Sequence, residues 1–419
     1  MPFTQKSTTL IYAVRKMTKT ASLKSKNLLL IVPHLQVFIK DQTAAIKPYF
    51  HGVTALMPVP LFSSLVVKLP VVKKNFRFLW YSENSRNELK HDFKLLSPKF
   101  FTLPIDVMRK RNCYLASKSC VKYVTKNRVH FDLIHAHFVG NGFIGANLKR
   151  LFAKPLVVTA HGGDVYDLPF RDEWQKTLAK YILNEADQVI TVSWFNKAKL
   201  LSLGISDNKL HVIPNGYNEQ IFKPMPTQEA KKKLGLPLNK KVLLSVGNLV
   251  DVKGHIYLVD AMNIVLKKRN DVILVIVGSG SLKERLQKRV NALGLNGKIL
   301  FVGGKLHCEI PMWMNACDIF VLPSLGEGFP TVIPEAMACG KPVIASCVGG
   351  IPEAITSNEI GTLLVPKSTM ALSDAILEGL NRVWSREKIL DAAARYSWQN
   401  IVKEIIIVYE RALNNYRNC

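Results

Sequence analysis

Short runs of apolar, mostly β-branched residues alternate along this chain with longer stretches in which apolar positions recur three and four residues apart. Runs of about four to eight apolar residues are typical of buried strands, and the wider spacing is typical of helices. The strand-like runs cover residues 27–33, 53–59, 131–137, 156–162, 188–193, 241–247, 272–278, 298–304, 319–324, 342–346 and 362–366. Helical spacing is clearest at 256–268 and 281–293. This alternation predicts an α/β fold of parallel sheets covered by helices on both faces.

The pattern breaks at 214–227, a stretch that contains three prolines, one glycine and two asparagines and has no regular spacing of apolar residues.

 A stretch of this composition is typical of a linker between domains. We therefore expect a basic lead-in at 1–26, a first domain at 27–215, a second at 216–394 and a closing segment at 395–419. The closing segment has the apolar stripe of an amphipathic helix, which would either cap the second domain or cross back to the first. The predicted architecture is two doubly wound, Rossmann-like domains that face each other across a cleft.

Charge is the unusual part of the composition. Apolar residues make up 48% and charged residues 21% of the chain, which excludes a disordered or fibrous protein. The net charge is nevertheless +26, and residues 1–130 hold 23 basic against 5 acidic residues, a balance of +18. A front third this basic indicates an anionic partner: a lipid surface, a nucleic acid or a phosphorylated substrate.

Basic and aromatic residues are mixed in one part of this region, at 68–81. Lys73, Lys74 and Arg77 stand among Phe76, Phe78 and Trp80, and the stretch 108–112 adds further positive charge. This mixture suits a membrane interface, and it also suits single-stranded nucleic acid or a solvated loop. No apolar run approaches the roughly 18 residues that span a bilayer. We expect a cytoplasmic protein, with peripheral contact at the inner face of the membrane as a hypothesis.

The stretch 324–346 carries the clearest chemical signal. A strand ends at its start, a glycine-containing loop follows, and a helix is predicted to begin near Thr331. Ligands of open α/β folds bind where strands end and helices begin, and a helix N-terminus favours phosphate. Two carboxylates, Glu327 and Glu335, lie eight residues apart in this setting. Carboxylates beside a phosphate site are suited to accept hydrogen bonds from sugar hydroxyls.

The segment from Glu327 to Glu335, E-G-F-P-T-V-I-P-E, resembles the E-x7-E signature of retaining glycosyltransferases with the GT-B fold. The family includes sucrose synthases and mannosyltransferases, and the resemblance covers most of residues 27–416. It implies that Glu327 lies beside the donor sugar and that Glu335 contacts the nucleotide ribose. It also implies that the backbone of Gly328, Phe329 and Pro330 meets the sugar hydroxyls, and Thr331 completes this donor-binding segment. The first domain would then lie on the acceptor side and the second would bind the donor.

Two further positions match the family. Lys253 follows the strand at 241–247 and matches the lysine that grips the donor diphosphate, whereas Asn248 stands where many members have arginine. His161 ends the strand at 156–162 and matches a His-Gly that faces the donor sugar, so it is a predicted site residue. His135 and His137 end an earlier strand. Either they line the acceptor side or, as we favour, they are structural.

One departure from the family concerns the first strand. Members commonly have a glycine-rich loop after it, but residues 33–50 contain no glycine, so acceptor-binding roles do not carry over. The resemblance implies transfer from a nucleoside diphosphate sugar to a hydroxyl acceptor, with a lipid-linked or cell-surface glycan precursor as one option. No metal or cofactor is expected, and no nucleic acid. The alternatives are a sugar-nucleotide epimerase of the same fold and a basic nucleic-acid-binding protein.

Overall fold

The first domain is built on a parallel sheet that follows directly from its buried apolar runs. The structure is a computed structural model that describes residues 23–33, 36–61, 93–101 and 109–417. The strands of the first domain are β1 Asn27–Ile31, β2 Gly52–Leu56, β3 Val59–Pro60, β4 Lys94–Leu96, β5 Lys99–Phe100, β6 Leu133–His137, β7 Leu156–Ala160, β8 Gln188–Thr191 and β9 Leu210–Val212. Within the described residues, the order across the main sheet is β4-β2-β1-β6-β7-β8-β9, and β3 pairs separately with β5.

The second domain repeats this plan. Its strands are β10 Lys241–Val246, β11 Val272–Val277, β12 Ile299–Gly303, β13 Ile319–Leu322, β14 Val343–Ser346 and β15 Gly361–Leu364. They lie in the order β12-β11-β10-β13-β14-β15, and all neighbouring strands of this sheet are parallel. In both sheets the chain first builds outward in one direction and then reverses, which is the doubly wound arrangement. The prediction of two doubly wound α/β domains is therefore confirmed.

Helices cover both faces of each sheet. In the first domain they are α1 Val37–Ile46, α2 Arg109–Lys126, α3 Val139–Phe152, α4 Gly163–Tyr166, α5 Glu173–Glu185 and α6 Trp194–Ser202. In the second domain they are α7 Thr227–Lys233, α8 His255–Lys268, α9 Lys283–Ala292, α10 Ile310–Ala316, α11 Val332–Ala338, α12 Ile351–Ala354, α13 Thr369–Asn381 and α14 Arg386–Ala394. The last helix is α15 Trp398–Arg417. No helix among the described residues is both long and apolar enough to cross a membrane.

The closing helix α15 packs on the first domain rather than on the second. Its buried residues Trp398, Ile405 and Tyr409 share one apolar cluster with Leu30 of β1 and Val157 of β7. The apolar stripe of the sequence is thus the face that covers the first sheet.

The two segments that connect the domains run side by side. The N–H of Tyr217 donates to the carbonyl of Tyr396 at 2.9 Å, and the N–H of Trp398 donates to the carbonyl of Tyr217 at 3.1 Å. Tyr217 and Ser397 form a parallel bridge. The chain therefore passes between the domains twice at one place, and these backbone hydrogen bonds join the two crossings.

The sequence-based boundaries hold closely for the buried strands. The short strands β3, β4, β5 and β9 were not predicted, because each has at most three residues and lacks a continuous apolar run. The helix α2 was not predicted either. The basic lead-in at 1–26 falls almost wholly outside the described residues, as does the basic and aromatic stretch at 68–81.

Candidate active site

The loops after β10 and β13 lie at the point where the strand order of the second sheet reverses. Lys253 lies in a short 3-10 turn after β10, and Glu327 lies in the loop after β13. Nζ of Lys253 donates to Oε1 of Glu327 at 2.6 Å, and the hydroxyl of Ser324 donates to the same oxygen at 2.6 Å. Glu327 is only 8% exposed. Two donors therefore fix one carboxylate oxygen at the place where open α/β sheets bind ligands.

Glycines bring the backbone of this loop against the first domain. A Cβ on Gly328 would collide with the carbonyl oxygen of His161, so only glycine permits this approach. On the other side, Gly349 has a φ of +55°, and a Cβ there would collide with the carbonyl oxygen of Glu327. The N–H of Gly350 donates to that same oxygen at 3.3 Å. The peptide between Glu327 and Gly328 thus packs against His161 of the first domain and is hydrogen-bonded by Gly350 of the second.

The loop that carries His161 is organised by one carboxylate. Asp164 accepts hydrogen bonds from the N–H groups of His161 at 3.1 Å, Gly162 at 2.7 Å and Val139 at 3.0 Å. Burial raises the pKa of Asp164, and these backbone hydrogen bonds oppose that rise. The carboxylate therefore ties the end of β7 to the first turn of α3, and it sets where His161 stands.

Three histidines form a buried group at the ends of β6 and β7. Nδ1 of His137 lies 3.0 Å from Nε2 of His161, and the two rings are nearly parallel, at 14°. His135 contacts Tyr409 Oη and Thr159 Oγ1, each at 2.7 Å. Burial lowers the pKa of His137 to about 3 and lowers the pKa of His161 well below its ordinary value. Both rings are therefore neutral near pH 7, so one nitrogen of the pair donates and the other accepts.

Nδ1 of His161 is buried and has no hydrogen-bond partner among the described residues. Since Nε2 is occupied by His137, Nδ1 is the atom that this ring can offer to a ligand. Rings pack around it: Phe38 of α1 lies 4.8 Å away and Phe138 lies 4.6 Å away, between centroids. The glycine-free segment after β1 thus reaches the site through an aromatic side chain.

Glu335 borders a cavity of about 150 Å³ between the domains. The cavity is lined by Val37, Phe38, Asp41, Gly216, Val246, His307, Ile310, Thr331, Val332 and Glu335. Nε2 of His307 donates to Oε1 of Glu335 at 3.1 Å. Burial by itself would lower the pKa of His307, but the hydrogen bond and charge of Glu335, with the charge of Asp41, raise it overall. Burial also raises the pKa of Asp41. The cavity thus presents polar groups from both domains.

A second contact between the domains lies beside this site. The carboxylate of Glu353 in α12 accepts the N–H of Trp194 at 2.9 Å and the N–H of Phe195 at 3.0 Å. These are the first N–H groups of α6, which lack partners inside their own helix. A negative charge at a helix N-terminus is also favoured by the helix dipole. Glu353 therefore pins the first domain to the second.

The predicted site residues divide into two neighbouring groups. Glu327, Lys253, Gly328 and His161 come together where the domains meet. Thr331 and Glu335 line the cavity. The ring of Phe329 packs on Tyr396 at 5.2 Å between centroids, and Phe329 and Pro330 are both buried, so only their backbone remains for a ligand. Asn248 is exposed.

Sequence reasoning missed the groups that position these residues. They are Ser324 on Glu327, His307 on Glu335, Asp164 under His161, and Glu353 between the domains. A local signal existed for Asp164, because an aspartate shortly after a strand end commonly binds nearby backbone N–H groups.

Solved structures with this arrangement of domains define the class. The fold resembles sucrose-phosphate synthase from Thermosynechococcus elongatus, with a TM-score of 0.74 and 24% identity over 93% of this chain and 100% of that one. It also resembles Anabaena HepE in complex with UDP, with a TM-score of 0.71 and 22% identity over 91% of this chain and 99% of that one. The fold is that of the GT-B glycosyltransferases.

Sequence comparison places the chain within that class. Residues 226–396 match the family described as Glycosyl transferases group 1, and residues 73–220 match Glycosyltransferase Family 4. An uncharacterized glycosyltransferase of Methanocaldococcus jannaschii is 34% identical over 301 residues, which cover 68% of this chain and 76% of the relative. The chain belongs to this family of glycosyltransferases, and it is therefore a transferase enzyme.

The D-inositol 3-phosphate glycosyltransferase of Mycobacterium tuberculosis is 29% identical over 314 residues, which cover 68% of this chain. The match spans 63% of that enzyme's length.

Proposed function

We propose that this enzyme moves a sugar from a nucleoside diphosphate sugar to a hydroxyl acceptor, with retention of configuration at the anomeric carbon. The observation that carries the proposal is the contact of Lys253 with Glu327 at the switch point, directly beside His161 of the other domain. The complexes of Anabaena HepE with UDP and with UDP-glucose support a donor of this kind. No metal or cofactor enters the proposed reaction.

The barrier in such a transfer is charge separation, since the sugar carbon becomes cationic while the diphosphate leaves. The ammonium of Lys253 has three donors, of which Glu327 takes one, so the others are left to neutralise the diphosphate. The Glu327 carboxylate accepts hydrogen bonds from the sugar and stabilises its positive charge. Both effects grow as the bond to the diphosphate breaks, and this is what accelerates the step.

The other predicted residues position the donor. Glu335, held by His307, accepts hydrogen bonds from the ribose hydroxyls at the cavity. His161 donates from Nδ1 to a sugar hydroxyl, with His137 fixing the tautomer that carries the proton there. The acceptor oxygen bonds to the anomeric carbon on the face from which the diphosphate departs, and its proton passes to a diphosphate oxygen. This order accounts for retention without a covalent sugar–enzyme intermediate.

For the acceptor, we propose a lipid-linked precursor of a cell-surface glycan, reached by a cytoplasmic enzyme at the inner face of the membrane. The basis is the excess of positive charge in residues 1–130. A soluble acceptor, such as a phosphorylated polyol, is the alternative, and a screen of both kinds of acceptor distinguishes them.

The test is a donor and acceptor screen with the full chain. UDP-, GDP- and ADP-sugars are offered with lipid extracts or with soluble phosphorylated polyols, and products are identified by mass spectrometry. The anomeric configuration of the product is then read by nuclear magnetic resonance. Glu327→Gln should abolish transfer, while Glu284→Gln, an exposed carboxylate on α9, should leave it unchanged. An inverted product, or full turnover by Glu327→Gln, would refute the proposal.

A further inference from the structure

The helix α2 has one apolar face and one cationic face. Ala116, Cys120 and Val124 point inward and belong to the apolar cluster of the first domain. Arg111, Tyr114, Lys118, Lys122 and Lys126 are not in that cluster and are exposed. At 100° per residue these five fall within an arc of about 120°. They extend over roughly 22 Å of helix, and we call them the basic stripe.

Among the described residues, no acidic side chain pairs with the cations of the basic stripe. Residues 107–131 contain seven lysines and arginines and neither aspartate nor glutamate. Within the described ranges, Arg111, Lys118, Lys122 and Lys126 form no ion pair with an acidic side chain. Several lysines elsewhere on this domain are paired, as Lys149 is with Asp187 at 2.6 Å. A stable fold does not need such a row of like charges, because they repel one another.

We propose that the basic stripe docks the enzyme on an anionic lipid surface. A straight row of exposed cations along one helix meets many headgroups of a flat surface at once. Tyr114, which is 60% exposed, stands among these cations and suits the depth of the headgroups. Grooves for single-stranded nucleic acid instead carry successive rings on which bases stack, and the stripe offers one ring.

The direction of α2 relates the basic stripe to the active site. The helix leads into β6, and helices that connect parallel strands run antiparallel to them. The Arg111 end of the stripe therefore lies toward the carboxyl ends of the strands, where His137 and His161 stand. An enzyme docked through this stripe would have its cleft near the surface. The inference extends the lipid-linked acceptor of the proposed function by naming the surface that meets the membrane.

The test uses the full chain without donor or acceptor, so that failure of docking and failure of transfer are distinguishable. Sedimentation is measured with phosphatidylcholine vesicles and with vesicles containing one-third phosphatidylglycerol, at about 0.1 M and about 0.5 M salt. The stripe variant is Lys118→Gln, Lys122→Gln and Lys126→Gln. Its matched control carries Lys267→Gln, Lys268→Gln and Lys288→Gln, which removes equal charge from exposed positions of the second domain.

We expect binding to the anionic vesicles alone, weakened by salt. Each lysine near such a surface changes partition by about fivefold, so the stripe variant should bind roughly 100-fold more weakly while the control binds as before. Equal losses in both variants would mean that net charge acts without a defined surface, and would overturn the proposal. So would no vesicle binding at all, or stripe-dependent binding of labelled single-stranded RNA in its place.

Discussion

Replacing Lys253 by methionine tests the pairing at the centre of the proposed site. The change removes the ammonium that donates to Glu327 and leaves Ser324 as the donor to that oxygen. Breaking a fully buried ion pair costs about 3–5 kcal/mol. The Lys253 side chain is 23% exposed, so solvent screens the remaining charge and we expect about 2 kcal/mol. For a domain of this size that loss lowers the melting temperature by roughly 4–8 °C.

The double variant with Glu327→Gln separates stability from chemistry. A neutral amide beside methionine leaves no unpaired charge, so the double variant should melt above Lys253→Met. Transfer should stay abolished in both single variants and in the double variant, because each removes a charge that acts on the leaving group or the sugar. Melting is followed by calorimetry, with Lys267→Met as an exposed control. An unchanged melting temperature for Lys253→Met, or a double variant no more stable, would refute the reasoning.

Three other perturbations follow from contacts described above. Glu353→Ala should cost about 1–2 kcal/mol in calorimetry by freeing the N–H groups of α6, and Glu353→Gln should cost less because one acceptor oxygen remains. The pKa of His307 is raised in the folded protein, so its pairing with Glu335 stabilises the fold. This contribution to the free energy of unfolding is complete below the ordinary histidine pKa of about 6.5, and it is lost as the pH rises through the raised pKa of the folded state. His307→Gln should therefore remove that dependence from a series of melting curves, and a slope equal to that of the wild type would contradict the assignment. Gly328→Ala should lower kcat/KM about 100-fold, because the new methyl meets the carbonyl of His161 and displaces the site; wild-type kinetics would show that the domains do not need this contact.

The strands were predictable from the sequence because buried parallel strands are apolar on both faces. Val272–Val277, for example, is buried at every position and needs no knowledge of its neighbours. Lys94–Leu96 has one buried residue in three and lies at the edge of its sheet, so its pairing with β2 depends on residues distant in the chain. Such strands are visible only once the sheet has formed.

The site divides in the same way. Glu327, Lys253 and His161 could be placed at strand ends from the sequence, and their roles remain predictions. Their partners could not be placed, since Glu335 and His307 are separated by 28 residues and meet only through the fold. Ser324 is close to Glu327 along the chain, but nothing in a serine at a strand end distinguishes it from an ordinary turn residue.

The position of α15 on the first sheet affects the order in which the protein can be completed. Among the described residues, the face of the first sheet that holds Leu30 and Val157 is covered only by α1, through Ile39 and Ile46, until Trp398 and the residues after it have been synthesised. At roughly 5–20 residues per second, translation of the second domain alone takes roughly 10–40 s. During that interval the part of this face that α15 will cover stays exposed as an apolar surface on the ribosome. Chaperone capture during synthesis should therefore concentrate on this face, and loss of α15 should reduce the yield of folded protein more than it alters the second domain.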